Sequence, residues 1–279
     1  MVAILDGMTG EFYMTLRERM KNGPVFGITC FTAAACAVEA IGAWGYDFVY
    51  LDLEHCPLDG PNNMEKLIMA ARLANIPSVV RVTGTDEVEI RKVLEMGAEG
   101  IVVPHTRTKS DAEDMVRAAK FPPMGRRGGE SNVRSAGFGG PGFSWSDYVA
   151  KSNLETMIIP MDEDFEFTDN LDEILDVPGV DAINFGPIDY SLSIGAKVGY
   201  ATEDPRVADA YKKLAEGCKR RGIGVMCPVV PGTKENIEAA IGRGINMLIL
   251  GNDMYHLQQA LKTMKQDAID PIRGKNYNQ

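Results

Sequence analysis

Glu163 follows the apolar run 157-MIIPM and Asp189 follows 181-DAINFGP, so two carboxylates leave the ends of two short, β-rich segments. Between them, 166–176 carries helical spacing, which predicts a strand–helix–strand unit of a parallel sheet. Two hard oxygen donors at the carboxyl ends of adjacent strands, with waters and a substrate completing the shell, suit Mg²⁺ or Mn²⁺. The same acids would also serve as plain helix-start carboxylates complementing a macrodipole. More chemistry-bearing residues end other apolar runs: Asp52, Glu54 and His55 the second, Arg81 the third, His105 the fourth, Asn252 and Asp253 the last.

The segments that would position these residues alternate along the whole chain. Strands are expected at 24-PVFGITC, 47-DFVYLDL, 77-PSVVRVT, 99-EGIVVP, 156-TMIIPM, 181-DAINFG, 223-IGVMCPV and 246-NMLILG. Helical patterns cover about 33–44, 61–74, 86–96, 109–120, 166–176, 204–221, 233–243 and 252–268, after a first amphipathic helix over about 11–21. Eight strands alternating with eight helices predict an α/β fold, a (β/α)₈ TIM barrel preceded by an extra helix. An open doubly wound sheet competes but rarely needs eight regular units. The whole span 1–279 reads as one barrel domain, with 1–23 as the N-terminal helix and 252–279 as a C-terminal helix and tail. Residues 121–153, rich in Gly, Pro and Arg, are too long for an ordinary helix-to-strand link. Phe138, Phe143, Trp145 and Tyr148 argue against disorder there and for a packed excursion, at a subunit contact or over a neighbouring active site.

Composition narrows the function. With 45% hydrophobic residues the chain can bury one large core, and a net charge of −10 without long runs argues against a nucleic-acid partner. Five widely spaced cysteines without a C-x-x-C pair read as reduced thiols of a cytoplasmic protein. Neither a secretory leader nor a membrane-spanning run is expected. In a β/α barrel the chemistry sits at the carboxyl ends of the strands, where the ionisable residues gather. No lysine lies on or directly after a strand, which disfavours a Schiff base. No phosphate-binding glycine fingerprint or G-x-S-x-G elbow follows a strand either. An acid pair with one Arg and one His suits metal-assisted enolate chemistry.

Each residue also has a plainer role. His55 could be a strand-end histidine bonded to backbone, Arg81 a salt-bridge partner, and His105 a structural or supporting residue. Cys30 and Cys56 read as packed small apolar groups, and Met64, Met69, Met96 and Met115 as core.

The segments 51-LDLEHCPLD, 79-VVRV, 100-GIVVP, 121-FPPMGRRG, 170-NLDEILDVPGVDAINFGPIDYSLSIG and 250-LGND resemble the HpcH/HpaI-type class II pyruvate aldolases, in matching order over roughly residues 20–255. That family includes 4-hydroxy-2-oxoheptanedioate and 2-dehydro-3-deoxyglucarate aldolases. The resemblance implies a carbon–carbon lyase that depends on Mg²⁺, Mn²⁺ or Co²⁺, acts on an oxo acid and an aldehyde, and assembles as a homo-oligomer, a hexamer or trimer, with an exchanged C-terminal helix. It further implies that Glu163 and Asp189 are metal ligands, that Arg81 stabilises the enolate oxygen, and that His55 is the proton acceptor, supported by Glu95 of a neighbouring subunit. Gly186, Pro187 and Ile188 would bind the pyruvate carboxylate through their backbone, beside Asp189.

Four positions depart from the family pattern. Glu95 stands where Asp is usual, Met161 where a substrate-contacting Gln is common, Thr29 where a Trp often sits, and His105 where Met is usual. They suggest an altered acceptor pocket. The leading expectation is a divalent-metal-dependent aldolase of 4-hydroxy-2-oxo acids. Oxaloacetate decarboxylation, a citrate-like condensation, or a non-catalytic oxo-acid-binding barrel are the alternatives.

Overall fold

The computed structural model describes residues 14–56, 61–200 and 204–273. Among them are eight parallel strands: β1 (Val25–Cys30), β2 (Phe48–Asp52), β3 (Ser78–Arg81), β4 (Gly100–Val103), β5 (Met157–Asp162), β6 (Ala182–Phe185), β7 (Gly224–Pro228) and β8 (Met247–Asn252). They close into a barrel in chain order, β8 pairing back onto β1. Each lies within a residue or two of its expected position, because buried parallel strands are written as short continuous apolar runs.

Side chains alternate across each strand, so one set fills the barrel and the other meets the surrounding helices. Phe48, Tyr50, Val79, Val102, Met157, Ile159, Met161, Met226 and Met247 form the inner layer. Leu16 and Met20, on the first helix (Leu16–Asn22), belong to the same cluster and plug the amino-terminal end. Two glycines make room: a Cβ at Gly27 would sit 2.5 Å from the Phe48 ring, and one at Gly224 would sit 2.5 Å from Met20 Sδ. The outer layer joins strands to helices through Val49, Leu51, Ile101, Ile158, Ile183 and Leu248. Met64 and Met115 are buried as expected, whereas Met69 is 44% exposed, on the outward side of its amphipathic helix.

The helices depart from expectation in informative places. The first helix begins at Leu16, where a capping box between Thr15 and Glu18 starts it, and positions 11–13 of its expected span lie outside the described residues. The pattern over 166–176 divides at Asn170 into Phe165–Asp169 and Leu171–Leu175, the Asn170 amide donating to the Arg107 carbonyl at 2.9 Å. Pro187–Ser193 is an additional helix, announced only by Gly186 and a proline at its first position. The excursion contains the helix Trp145–Glu155 and is packed: Phe121, Phe143, Trp145 and Tyr148 stack edge to face, with Arg127 4.7 Å from the Phe121 ring centroid.

The barrel floor is polar and cross-linked by side chains. Arg17 pairs with Asp181 at 2.8 Å and donates to the Thr156 carbonyl at 3.0 Å. Lys120, 1% exposed, donates to the carbonyls of Asn153 (2.8 Å) and Thr156 (2.6 Å). Burial pulls its amine down to about 8, against the pull of Asp181. Lys120→Met should leave the Asn153 carbonyl without its donor and the Thr156 carbonyl with Arg17 alone, and cost about 1 to 3 kcal/mol in urea unfolding, because a buried acceptor loses its hydration and gains nothing.

Candidate active site

The period-two alternation that fills the barrel carries charged residues to its carboxyl end. Tyr50 and Asp52 share the inner face of β2, Val79 and Arg81 that of β3, and Ile159 and Met161 that of β5, with Glu163 just beyond. Asp52 and Arg81 are also register partners, side by side on adjacent strands. Arg81 grips Asp52 with two donors, Nε to Oδ1 at 2.8 Å and Nη2 to Oδ2 at 2.5 Å. Its Nη1 lies 2.8 Å from Glu54 Oε2, an ion pair in distance without hydrogen-bond alignment, so that buried oxygen keeps no aligned donor. Burial opposes the Arg81 charge, but Tyr50, Asp52 and Glu54 outweigh it and hold the guanidinium firmly ionised.

Glu54 is a meeting point. Besides Arg81, His55 Nε2 lies 3.8 Å from its Oε2 and His105 Nε2 lies 3.5 Å from its Oε1. The His55 side chain is 59% exposed and has no closer charged neighbour among the described residues. His105 has a left-handed backbone, φ 53°, and its N–H donates to Glu163 Oε1 at 2.7 Å. Its ring Nδ1 lies 3.1 Å from Asp164 Oδ2, which also accepts from Arg107 Nε at 3.1 Å. Burial works against the His105 charge, yet Asp164, Glu163 and Glu54 together raise its proton affinity.

Glu163 is 2% exposed and caps no helix; the following short helix starts from Asp164, which makes no capping bond either. Asp189, by contrast, lies in the first turn of Pro187–Ser193, where the macrodipole favours an acid. The helix-start reading therefore fits Asp189 and fails for Glu163. Burial raises the Glu163 carboxyl, His105 pulls it down, and the negative charges of Glu54 and Asp189 push it up again. Gly186 lies against it: a Cβ there would come within 3.0 Å of Glu163 Cβ and 3.1 Å of Oε2. Next to Glu163, Asp162 is completely buried with neither carboxylate oxygen bonded, and burial with its acidic neighbours raises it well above the usual range.

The structure thus brings Arg81, Glu163 and Gly186 to one mouth, with Asp189 close enough to act on Glu163 electrostatically and His55 at the exposed edge. Met161 is 4% exposed in the inner layer, and its Cε would be 3.5 Å from a Cβ at Gly186. Pro187 and Ile188 open the additional helix beside them. Glu95 sits half-buried on the helix Glu87–Met96, its charge felt at Arg127, and no bond or ion pair joins it to His55 within the described chain. Asp52, Glu54 and Asp164 take larger parts than the sequence reading gave them. The D-x-E alternation on an inward strand face was the available signal for the first two.

A (β/α)₈ barrel with a carboxylate-rich mouth at the carboxyl ends of its strands is an enzyme scaffold. The chain belongs to the HpcH/HpaI aldolase/citrate lyase family, whose model matches residues 28–260. It is 29% identical over 237 residues to 2-dehydro-3,6-dideoxy-6-sulfogluconate aldolase of Pseudomonas putida, covering 85% of this chain and 89% of that protein. Among solved structures it resembles citrate synthase SbnG, with TM-score 0.77 and 32% identity over 90% of this chain and 98% of that one. It also resembles the HpcH/HpaI aldolase of Desulfitobacterium hafniense, with TM-score 0.81 and 29% identity over 91% and 97%.

Raised carboxyl groups give the metal-free protein a characteristic pH response. Between the unfolded value of a buried acid and its higher folded value, the folded state holds the extra proton, so stability falls as pH rises through that window. Asp162 and Glu163, ordinarily at 3.8 and 4.5, both contribute in this direction. The melting temperature in chelator should therefore fall as pH climbs above about 4.5, and Glu163→Gln should flatten the slope.

Proposed function

We propose that this chain is a class II aldolase, a carbon–carbon lyase that makes or cleaves 4-hydroxy-2-oxo acids from pyruvate and an aldehyde through an enolate. The observation that carries the reading is Glu163: a buried carboxylate with one oxygen taken by the His105 N–H and the other turned toward Gly186 with no cationic partner among the described residues, near the negative charges of Glu54 and Asp189. Such a site calls for a cation. No three His, Cys, Asp or Glu groups among the described residues form a metal cage, so Glu163 and Asp189 would hold a divalent ion with water and substrate filling the shell. Mg²⁺ suits that donor set, and Mn²⁺ or Co²⁺ would substitute. When bound, the cation supplies Lewis-acid stabilisation of the oxo acid's enolate.

The protein's own residues then divide the work. Backbone N–H groups of Ile188 and Asp189, at the start of the additional helix, would take the substrate carboxylate, with Gly186 and Pro187 shaping the approach. Arg81, fixed by Asp52 and Glu54, would present its charge to the developing enolate oxygen without having to reorganise. His55 would take the proton of the 4-hydroxyl, supported by Glu95 of a second copy. Met161 would offer an apolar floor where a Gln contact is common in the family.

An assembled homo-oligomer is part of this reading. The helix from Asp253 to Met264 continues through Arg273 and exposes Leu257, Leu261, Met264, Ile269 and Ile272, a surface suited to burial against another copy. The free thiols suit a cytoplasmic setting, and no described helix is long and apolar enough to cross a membrane. The resemblance to citrate synthase SbnG favours a second reading, condensation of the same enolate with a keto acid instead of an aldehyde.

The test is deuterium incorporation into the pyruvate methyl group, followed by NMR, with Mg²⁺ or Mn²⁺ and again with chelator. Exchange should require the metal and fall about 100-fold or more in Glu163→Ala. Metal-independent exchange, or none in protein that binds pyruvate, would sink the enolate mechanism.

A further inference from the structure

Two polar side chains meet inside the barrel, below its charged rim. Asn184 shares the inner face of β6 with Ala182, and Tyr50 stands on the inner face of β2, four strands away in the closed barrel. They therefore reach toward each other across the lumen, and Asn184 Nδ2 lies 3.5 Å from the Tyr50 hydroxyl. Arg81 stands next to them, its guanidinium 5.9 Å from the Tyr50 ring centroid. Asn184 is 3% exposed, and its Oδ1 has no hydrogen-bond partner among the described residues. Its register partners are Met161 on β5 and Met226 on β7, so neither flank offers more than a thioether. A neutral phenol must also place its own proton. With Nδ2 donating to Tyr50, that proton and Oδ1 are both left over; with the amide turned about its Cβ–Cγ bond, Tyr50 donates to Oδ1 and only the NH₂ end is left. The turned arrangement pairs more groups, and it leaves a donor. A half-paired buried amide is destabilising, and a leucine would occupy the same place without that penalty.

The unmet end of the amide lies next to the oxo-acid site. Met161, beside Asn184 in register, reaches Gly186: its Cε would be 3.5 Å from a Cβ there, and Glu163 Oε2 would be 3.1 Å from the same point. Asn184 itself stands two residues before Gly186 on the strand that leads to it. Deeper in the lumen the layer is apolar, with Met157 and Met226, so a polar partner for the amide comes from the mouth. An oxo acid is rich in acceptors, since neither its carboxylate nor its keto oxygen carries a proton at neutral pH, and a buried NH₂ group complements them. We infer that Asn184 is a substrate-binding residue, whose side-chain NH₂ donates to an oxygen of the oxo-acid end while Tyr50 holds the other end of the amide. The inference rests on the oxo-acid reading above and adds to it a contact from inside the barrel. It also gives Met161 a counterpart: the amide common in the family on β5 is missing here, and one stands on the neighbouring strand instead.

Binding tests this without turnover. Calorimetry measures Mg²⁺ alone, and then pyruvate on Mg²⁺-loaded protein, in wild type, in Asn184→Leu and in Asn184→Leu with Met161→Gln. The expected result for Asn184→Leu is about a tenfold or greater loss of pyruvate affinity, with Mg²⁺ affinity kept within about twofold. Adding Met161→Gln, which returns an amide to the adjacent register position, should bring pyruvate affinity back to within about threefold of wild type. In wild type, the side-chain NH₂ signals of Asn184 should shift when pyruvate is added to the Mg²⁺-loaded protein. Pyruvate affinity kept within about twofold in Asn184→Leu would overturn the inference, and so would NH₂ signals that stay in place. An equal loss of Mg²⁺ affinity would make the amide a support for the metal-binding acids, and a loss that Met161→Gln leaves unrecovered would make it a packing group; each overturns the inference as well. Wild type that binds Mg²⁺ and no pyruvate would sink the oxo-acid reading itself, a different result from a wild type that binds pyruvate without touching Asn184.

Discussion

The mouth of this barrel is built on a buried ion pair. Arg81 and Asp52 project from register-paired positions on β3 and β2, and the fork-shaped guanidinium spends two of its donors on one carboxylate. Desolvating both charges is expensive, and the cost is offset only because the geometry is bidentate and Glu54 adds a second anion. From that pair the rest follows outward. Glu54 is held in place by Arg81, and the two histidines are set around Glu54.

Charge is not balanced at this end. Asp52 and Arg81 neutralise one another, and His105 and Arg107 share Asp164, which leaves Glu54, Glu163 and Asp189 in surplus. Burial, and after it the charges of Glu54 and Asp189, raise the Glu163 carboxyl. A site of this kind is unfavourable in isolation and favourable once a positive species arrives, which is the usual condition of a preorganised binding site. The opposite end of the barrel is finished differently. There Arg17, Lys120 and Asp181 close the floor with internal bonds.

Much of the architecture was legible in the chain itself. Apolar runs such as 157-MIIPM and 246-NMLILG are short, β-rich and regularly spaced, and a strand buried on both faces has no other way to be written. Arg81 and Glu163 end apolar runs, which placed them at the carboxyl ends of their strands from sequence; which way their side chains point did not follow from runs that are apolar throughout. Short helices were harder. Pro187–Ser193 is too brief to show a period, and the break at Asn170 depends on an amide reaching the Arg107 carbonyl, far away in sequence.

The amino-acid sequence by itself determined the barrel, its order of strands and the identity of the acids and the arginine at its rim, because these depend on local periodicity and strand direction. Only the tertiary structure decided their pairing. That Arg81 is committed to Asp52 and Glu54, that Glu163 is buried against Gly186, and that His105 is oriented by Asp164 are consequences of distances between separate strands. No spacing along the chain encodes such distances. The left-handed turn at His105 belongs to the same class: its backbone energy is unfavourable locally and is met by a bond to a residue 58 positions away.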